Sequence, residues 1–183
     1  MKKWMIVAVM MFGTEVCLAQ DSGGEFQGFY QRVQSFNFNS GDPIFNVQNG
    51  NTNGGGFGFV YNITPVFSLF QQTSFFGGFE QSGLKMRLIT EAQGVRLSKG
   101  TDAILFYAKG GVGFNRYVLE NLGIDYGTAF ILGGGAEIRM TEGLYLLLEA
   151  TNLTMGLPNL TNLPGRSKWD NALLFTTGIA IRF

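Results

Sequence analysis

The chain of 183 residues contains no histidine and only one cysteine. Histidine is the commonest general base and metal ligand in proteins, so its absence argues against the usual hydrolytic and metal-dependent mechanisms. Because Cys17 is the only thiol, the chain cannot form an internal disulfide bond. We therefore expect no enzymatic activity, no cofactor and no metal site.

Long hydrophobic runs are also missing, although 45% of the residues are hydrophobic. No run reaches the roughly 20 apolar residues that a transmembrane helix needs. The 13 basic and 13 acidic residues balance, so the chain has no excess positive charge for binding nucleic acid. The 27 glycines and 18 phenylalanines are typical of closely packed, curved strands with aromatic outer faces.

The first residues have the pattern of a secretory signal peptide. Two lysines precede an apolar stretch from Trp4 to Phe12, which is too short to cross a membrane. Small residues at Cys17 and Ala19 suit a signal peptidase. We expect cleavage after Ala19, so that residues 1–19 are removed and residues 20–183 form one domain. An uncleaved N-terminal anchor and a lipoprotein attached at Cys17 are the alternatives.

Apolar and polar residues alternate in eight segments of the remaining chain. The predicted strands are 26–39, 55–63, 66–77, 84–97, 103–117, 127–140, 144–153 and 171–183. We expect a β-bulge near Gly94. Short connections alternate with longer ones at 40–54, 78–83, 118–126 and 154–170. This alternation is typical of outer-membrane barrels, which have short periplasmic turns and long outer loops.

The two faces of these predicted strands differ in size and polarity. In the last segment, for example, Phe175, Ile179 and Ile181 alternate with smaller residues and Arg182. An eight-stranded barrel has an interior only just wide enough for side chains, so the large apolar face must point outward into lipid. The sequence therefore predicts an all-β fold, an eight-stranded antiparallel up-and-down transmembrane β-barrel.

Charged residues within the strands are predicted to face the lumen. An isolated charge there would be costly, so opposite charges should pair. The predicted lumen salt-bridge network consists of Arg87, Glu91, Lys109, Glu137, Arg139, Glu149 and Arg182. Its three glutamates are expected to face Lys109, Arg139 and Arg182. Such pairs could fill the lumen, or they could exchange partners and gate a narrow ion path.

The last eight residues resemble the C-terminal insertion signal of outer-membrane proteins. Thr176, Gly178, Ile181 and Phe183 stand at its polar, glycine, hydrophobic and terminal aromatic positions, although Ile181 replaces an aromatic residue. With the export signal and the eight segments, the chain resembles the small bacterial outer-membrane β-barrel superfamily, similar to the OmpA transmembrane domain and to OmpX. The resemblance implies a Gram-negative outer-membrane location, with membrane lipid and the barrel-assembly machinery as partners. We expect a monomer that binds no nucleic acid.

The longest predicted connection contains an unusual set of apolar residues, which either fold over the barrel rim or form a candidate contact for a partner: Leu157, Leu160, Leu163 and Trp169. Three functions remain open. The chain could be a structural or surface-interaction barrel that acts through its extracellular loops, a narrow channel for ions or small solutes, or a secreted soluble barrel that binds a small hydrophobic ligand. Barrel enzymes of similar size, such as the lipid A deacylase and the palmitoyltransferase, depend on a catalytic histidine that this chain lacks.

Overall fold

The fold consists of eight long β-strands. The computed structural model describes residues 23–38, 47–81, 84–119, 123–156 and 169–183, so the predicted signal peptide over residues 1–19 lies outside the described residues. The strands are β1 (Gly24–Phe38), β2 (Val47–Asn62), β3 (Phe67–Gln81), β4 (Leu84–Gly100), β5 (Ile104–Leu119), β6 (Gly123–Thr141), β7 (Leu144–Gly156) and β8 (Trp169–Arg182). In these ranges no helix is long and apolar enough to cross a membrane.

The eight strands form one closed antiparallel sheet. Each strand pairs with its neighbours in sequence, and β1 also pairs with β8. At this seam Gly24 and Phe183 exchange two backbone hydrogen bonds, each 2.9 Å long. Closure leaves no strand edge with unpaired N–H and C=O groups, which is the condition for crossing hydrocarbon with strands. The predicted eight-stranded up-and-down barrel is therefore confirmed.

The strands differ from the predicted segments mainly by their extensions into the predicted long connections. The largest difference is in β2, which begins at Val47 rather than at residue 55. The predicted bulge near Gly94 is wrong, because this residue pairs in unbroken register with Phe70 on β3 and Gly111 on β5. Gly94 pairs with Gly111, and with no side chain on either residue the backbones of β4 and β5 approach closely there. No bulge is needed for this approach. Register shifts occur elsewhere, for example between Arg139 and Thr141.

The outer surface of the barrel is apolar over most of its area. Large outward side chains are well exposed, for example Leu132 at 72% and Phe106 at 62%. In β8, Phe175, Ile179 and Ile181 are exposed, whereas the alternate residues Leu174 and Ala180 are buried. Such a wall is stable against lipid and unfavourable against water, in agreement with the outward direction expected from the sequence.

The barrel interior differs between its two ends. We call the end that carries the connections 63–66, 101–103 and 142–143 the turn end, and the opposite end the loop end. Charged side chains are buried towards the turn end. Most members of a buried apolar cluster lie towards the loop end: Val33, Val60, Phe70, Phe76, Met86, Leu88, Ala92, Tyr117, Ala129, Ile131, Leu153, Met155, Ala172 and Leu174.

A glycine at the β1–β8 seam provides a test of the closed packing. A Cβ atom on Gly178 would collide with the carbonyl oxygen of Gly28 and would lie 2.7 Å from the Cβ of Phe29. We expect Gly178→Ala to lower the free energy of unfolding by about 1 to 3 kcal/mol, because this overpacking forces the strands apart. The measurement is urea unfolding in lipid vesicles, followed by intrinsic fluorescence.

The matched control is Gly28→Ala on the same seam. A Cβ atom there meets nothing within 4 Å. We expect this variant to be as stable as the wild type or up to about 1 kcal/mol more stable, since alanine restricts the unfolded chain. Equal unfolding midpoints for the two variants would contradict the packing described at Gly178.

Candidate functional site

Four charged side chains, three of them buried and that of Arg182 29% exposed, form a closed set of ion pairs near the turn end. The guanidinium group of Arg96 lies 3.3 Å from a carboxylate oxygen of Glu25 and 2.6 Å from one of Glu137. The guanidinium group of Arg182 lies 3.0 Å and 2.8 Å from the other oxygens of the same two glutamates. Each carboxylate is thus shared between two arginines, and the charges of the set cancel.

This set of ion pairs spans the lumen, because its members come from strands on different sides of the barrel. Glu25 on β1 and Arg182 on β8 are cross-strand neighbours at the seam. Arg96 on β4 reaches them from the wall opposite β8, and Glu137 on β6, two strands from β8, completes the set. Gln27 Nε2 donates hydrogen bonds to Glu25 (2.6 Å) and to Glu137 (3.4 Å), which ties the two carboxylates together.

A buried tyrosine ring packs against the guanidinium group of each of these arginines. The guanidinium carbon of Arg96 lies 4.0 Å from the ring centroid of Tyr107, and that of Arg182 lies 4.2 Å from the ring centroid of Tyr145. Cations over aromatic faces are stabilised by the ring quadrupole, more strongly where water is excluded. The rings therefore support the charges and fill the space beside them.

A second ion pair lies further along the lumen. The ammonium group of Lys109 is 2.7 Å from a carboxylate oxygen of Glu149 and donates a hydrogen bond to Gln72 at 2.6 Å. Glu149 also accepts hydrogen bonds from the hydroxyl groups of Tyr107 (2.8 Å) and Thr151 (2.7 Å). The lone pairs of this buried carboxylate are therefore satisfied by three different donors.

The structure brings together four of the seven charged residues predicted from the sequence and excludes three. Lys109, Glu137, Glu149 and Arg182 lie in the lumen and form the ion pairs described above. Glu137 pairs with Arg96 and Arg182, and not with the predicted partners Lys109 and Arg139.

The prediction that Arg87 and Glu91 face the lumen is wrong. In β4 the even-numbered residues point inward, as the burial of Met86, Leu88 and Ala92 shows, so the odd-numbered ones point outward. Accordingly, Arg87 is exposed and Glu91 is only partly buried.

Arg139 is also excluded from the network, for a different reason. It follows the inward alternation of β6 but lies at the rim of the turn end, where it is exposed and where the register with β7 shifts. It forms no ion pair with any residue that the structure describes.

Sequence reasoning missed Glu25 and Arg96, which are 1% and 2% exposed. Glu25 stands one residue before the predicted first strand, 26–39, so it was not considered. Arg96 stands between Val95 and Leu97, and both of these neighbours are exposed on the outer wall. Alternation through β4 places Arg96 in the lumen only when the even-numbered residues are the inward ones, which is the opposite of the predicted phase.

The four residues of the predicted insertion signal have different positions in β8. Thr176 is buried and its hydroxyl accepts a hydrogen bond from Gln31 Nε2 at 3.1 Å. Gly178 packs against β1, and Ile181 and Phe183 are exposed on the outer wall. This arrangement presents alternate apolar residues on one side of the last strand, as the resemblance to an insertion signal implies.

Of the predicted loop contact, Leu157, Leu160 and Leu163 lie outside the described residues. Trp169 begins β8 at the loop end and is 45% exposed. Its ring contacts that of Phe130 on β6, with centroids 5.5 Å apart. Two large rings thus meet near the loop end, where interfacial aromatic residues are expected.

The lumen has little free space around its charges. Beside Arg96, Tyr107, Lys109 and Glu149 lies a cavity of about 10 Å³. This volume is close to the minimum needed for one water molecule. Among the described residues no group of three or more acidic, cysteine or histidine side chains could hold a metal ion. The geometry is that of a plug built from matched charges.

The Lys109–Glu149 pair can be tested by removing one charge or both. We expect Lys109→Met to lower the free energy of unfolding by about 3 to 5 kcal/mol, because Glu149 would remain buried without its cation. Urea unfolding in lipid vesicles measures the change.

The control for that variant is Lys109→Met combined with Glu149→Gln. The glutamine is uncharged and retains an oxygen that can accept the hydrogen bond from Tyr107. We expect the double variant to recover most of the lost stability. A double variant no more stable than Lys109→Met alone would show that the uncompensated charge is not the cause of the loss.

Comparison with known proteins gives structural relatives only. No protein-family model and no curated protein sequence matches the chain. The fold is similar to that of neisserial surface protein A, with a TM-score of 0.66, 9% identity, and coverage of 88% of this chain and 97% of that one. It is also similar to the N-terminal β-barrel domain of Pseudomonas aeruginosa OprF, with a TM-score of 0.57, 13% identity, and coverage of 88% and 97%. The attachment invasion locus protein Ail of Yersinia pestis, crystallised with the heparin analogue sucrose octasulfate, has a TM-score of 0.51, 14% identity, and coverage of 88% and 97%. The chain therefore has the eight-stranded barrel fold of the small bacterial outer-membrane proteins.

Proposed function

We propose that this chain is a non-conducting barrel of the bacterial outer membrane, with a structural or surface-interaction role that it performs through its extracellular loops. The filled lumen is the observation that carries the proposal. Ion pairs cross the interior towards the turn end, and a buried apolar cluster lies mostly in the loop-end half, together with the buried Thr90–Asn115 hydrogen bond. A continuous water path would have to pass through both layers.

The membrane location is supported by the outer wall. Its exposed side chains include aromatic residues on several strands, such as Phe59, Phe75 and Phe130. In lipid this surface is stable, whereas in water it would drive aggregation. The predicted signal peptide and the C-terminal pattern agree with export, membrane insertion by the barrel-assembly machinery, and contact with outer-membrane lipid.

The loops are the proposed functional part because the cavity beside the lumen charges, about 10 Å³, is too small for a substrate. Residues 39–46 and 157–168 are the longest connections, and both join strands at the loop end. Connecting segments on a rigid scaffold commonly carry binding functions. Ail, which has the same fold, is named for attachment and was crystallised with a heparin analogue. This likeness supports a surface contact as one use of such a barrel, without an enzymatic step.

A narrow ion channel is the second candidate, and the shared charges of the lumen favour it. Lys109 contacts both Glu149 and Gln72, so it has an alternative polar partner within reach if the ion pair opens. The apolar cluster closer to the loop end opposes this function, since it would remain closed when the pair exchanges. A soluble barrel that binds an apolar ligand would need an interior cavity of several hundred Å³, far above the 10 Å³ cavity beside the charges.

Conductance measurements separate the first two functions. We expect neither the wild type nor Lys109→Ala to produce discrete current steps in planar bilayers, because the apolar cluster closes the lumen independently of the ion pair. A general porin inserted under the same conditions is the positive control for detection. Wild-type steps whose size changes in Lys109→Ala would instead establish a gated channel and contradict the proposal.

The orientation in the membrane can be tested with single cysteines at the two ends. In a Cys17→Ser background, Asn51→Cys places a thiol at the loop end and Asp102→Cys places one in a turn; both positions are exposed. We expect a membrane-impermeant maleimide to label Asn51→Cys on intact cells and to label Asp102→Cys only after the outer membrane is permeabilised. The reverse pattern would place the loop end in the periplasm.

A further inference from the structure

The outward wall of β3 and β4 carries a polar patch within its apolar surface. Gln71 pairs with Gln93 across the two strands, and Thr73 pairs with Glu91 in the same way. All four are odd-numbered residues, which point outward in both strands; the two glutamines are exposed, and Thr73 and Glu91 are partly buried. We call these four residues the polar island.

Apolar residues border the polar island on most sides; the exception is Arg116 of β5, which lies diagonal to Glu91 on the outer face and forms no ion pair with it. On the flanking strands, its members pair with phenylalanines of β2 and with Val112 and Phe114 of β5. Towards the turn end the next outward pair is Leu69–Val95, and towards the loop end it is Phe75–Ile89. The island therefore lies inside the apolar band, one apolar pair away from its loop-end edge.

Other strands show a different pattern. On β1, β2 and β7 the first polar outward residue is followed by another polar one towards the loop end: Arg32 by Gln34, Asn53 by Asn51, and Asn152 by Thr154. These residues mark the edge of the apolar band, beyond which the wall stays polar. On β3 and β4 one apolar pair, Phe75–Ile89, separates the island from Gly77 and from the exposed Arg87, so the island is set apart from this edge.

Amide and carboxylate groups within the bilayer are costly unless they find partners, and they mark contact or transport sites for that reason. Among the described residues, Glu91 forms no ion pair. Lipid tails offer neither donors nor acceptors. The island thus requires a polar partner at the same depth in the membrane.

We propose that the polar island is the contact surface between two copies of this chain in the membrane. A glutamine amide both donates and accepts hydrogen bonds, so an island related to its copy by a two-fold axis is complementary to itself. Glu91 accepts N–H donors from the glutamines of the second copy, and the exposed rings of Phe57 and Phe59 pack around the polar centre. This dimer replaces the monomer expected from the sequence.

Disulfide crosslinking of the purified full-length chain in lipid vesicles tests the contact. In a Cys17→Ser background, Val95→Cys places a thiol beside the island and Ile179→Cys places one on β8, on the opposite wall; the wild-type side chains are 43% and 51% exposed. We expect oxidation to yield dimers from Val95→Cys and not from Ile179→Cys. Equal crosslinking at both positions would indicate random collision, and none at Val95→Cys would indicate a monomer or another partner. Each of these results overturns the proposal.

The role of the amides is tested by adding Gln71→Leu and Gln93→Leu to Val95→Cys. We expect the dimerisation constant to fall by about tenfold or more, since the shared hydrogen bonds are lost while the wall becomes more apolar. Thr177→Leu on β8 is the matched control and should leave crosslinking unchanged. Crosslinking that persists without the two glutamines would show that the island does not hold the dimer.

The proposed dimer rests on the proposed membrane location. A measurement of folding distinguishes failure of the membrane barrel from failure of the dimer contact. Each variant is run on a detergent gel with and without boiling, because a folded barrel changes mobility only when it is heated. A chain that neither enters vesicles nor shows this shift would refute the membrane barrel itself. A chain that inserts and shifts but forms no dimer at Val95→Cys would refute only the contact between copies.

Discussion

The pairing of β1 with β8 is the constraint on which the rest of this structure depends. Without it, two strands would present unpaired backbone groups to hydrocarbon, where no water can satisfy them. The seam also positions the charged plug, since Glu25 and Arg182 are cross-strand neighbours there as well as an ion pair. Closure of the backbone and completion of the buried charge set are therefore coupled. A barrel open at this seam would lose the Glu25–Arg182 ion pair.

The narrow lumen explains why small residues accompany the large ones inside. Tyr107 points into the lumen, where its hydroxyl group donates to Glu149. A Cβ atom on Gly135 of the adjacent strand would lie 2.7 Å from that hydroxyl oxygen, so the glycine provides the room that the ring occupies. A large inward side chain on one strand thus occupies the space left by a glycine on the neighbouring strand. Ion pairs and aromatic rings fill the lumen towards the turn end, and apolar side chains that include Phe76 and Tyr117 fill most of it towards the loop end.

Much of the fold was predictable from the sequence, because alternation over eight segments and the spacing of turns depend on local chemistry. The same alternation placed Lys109, Glu137, Glu149 and Arg182 in the lumen. Arg87 and Glu91 were assigned to the wrong face because the loop-end half of the lumen is itself apolar. There, Met86 and Leu88 point inward, so an apolar residue does not identify the lipid side.

The features that the sequence did not predict depend on how the strands are aligned with one another. Whether Arg96 on β4 meets Glu137 on β6 depends on the register of β4 with β5 and of β5 with β6, and no local pattern determines this alignment. The polar island has the same origin, since Gln71 and Gln93 are far apart in sequence and become neighbours only through the β3–β4 register. Arg139 continues the inward alternation of β6, and only the position of the barrel rim separates it from the buried charges.

We propose that the outward face of these strands meets lipid in the outer membrane and that the inward side chains fill a closed lumen. The most direct measurement expresses the full chain in a Gram-negative host, separates the outer membrane, and compares the mobility of the protein on a detergent gel before and after boiling. We expect a band in the outer-membrane fraction whose mobility changes on boiling, because a closed barrel resists the detergent until it is heated. A soluble periplasmic protein with the same mobility in both samples would contradict the account.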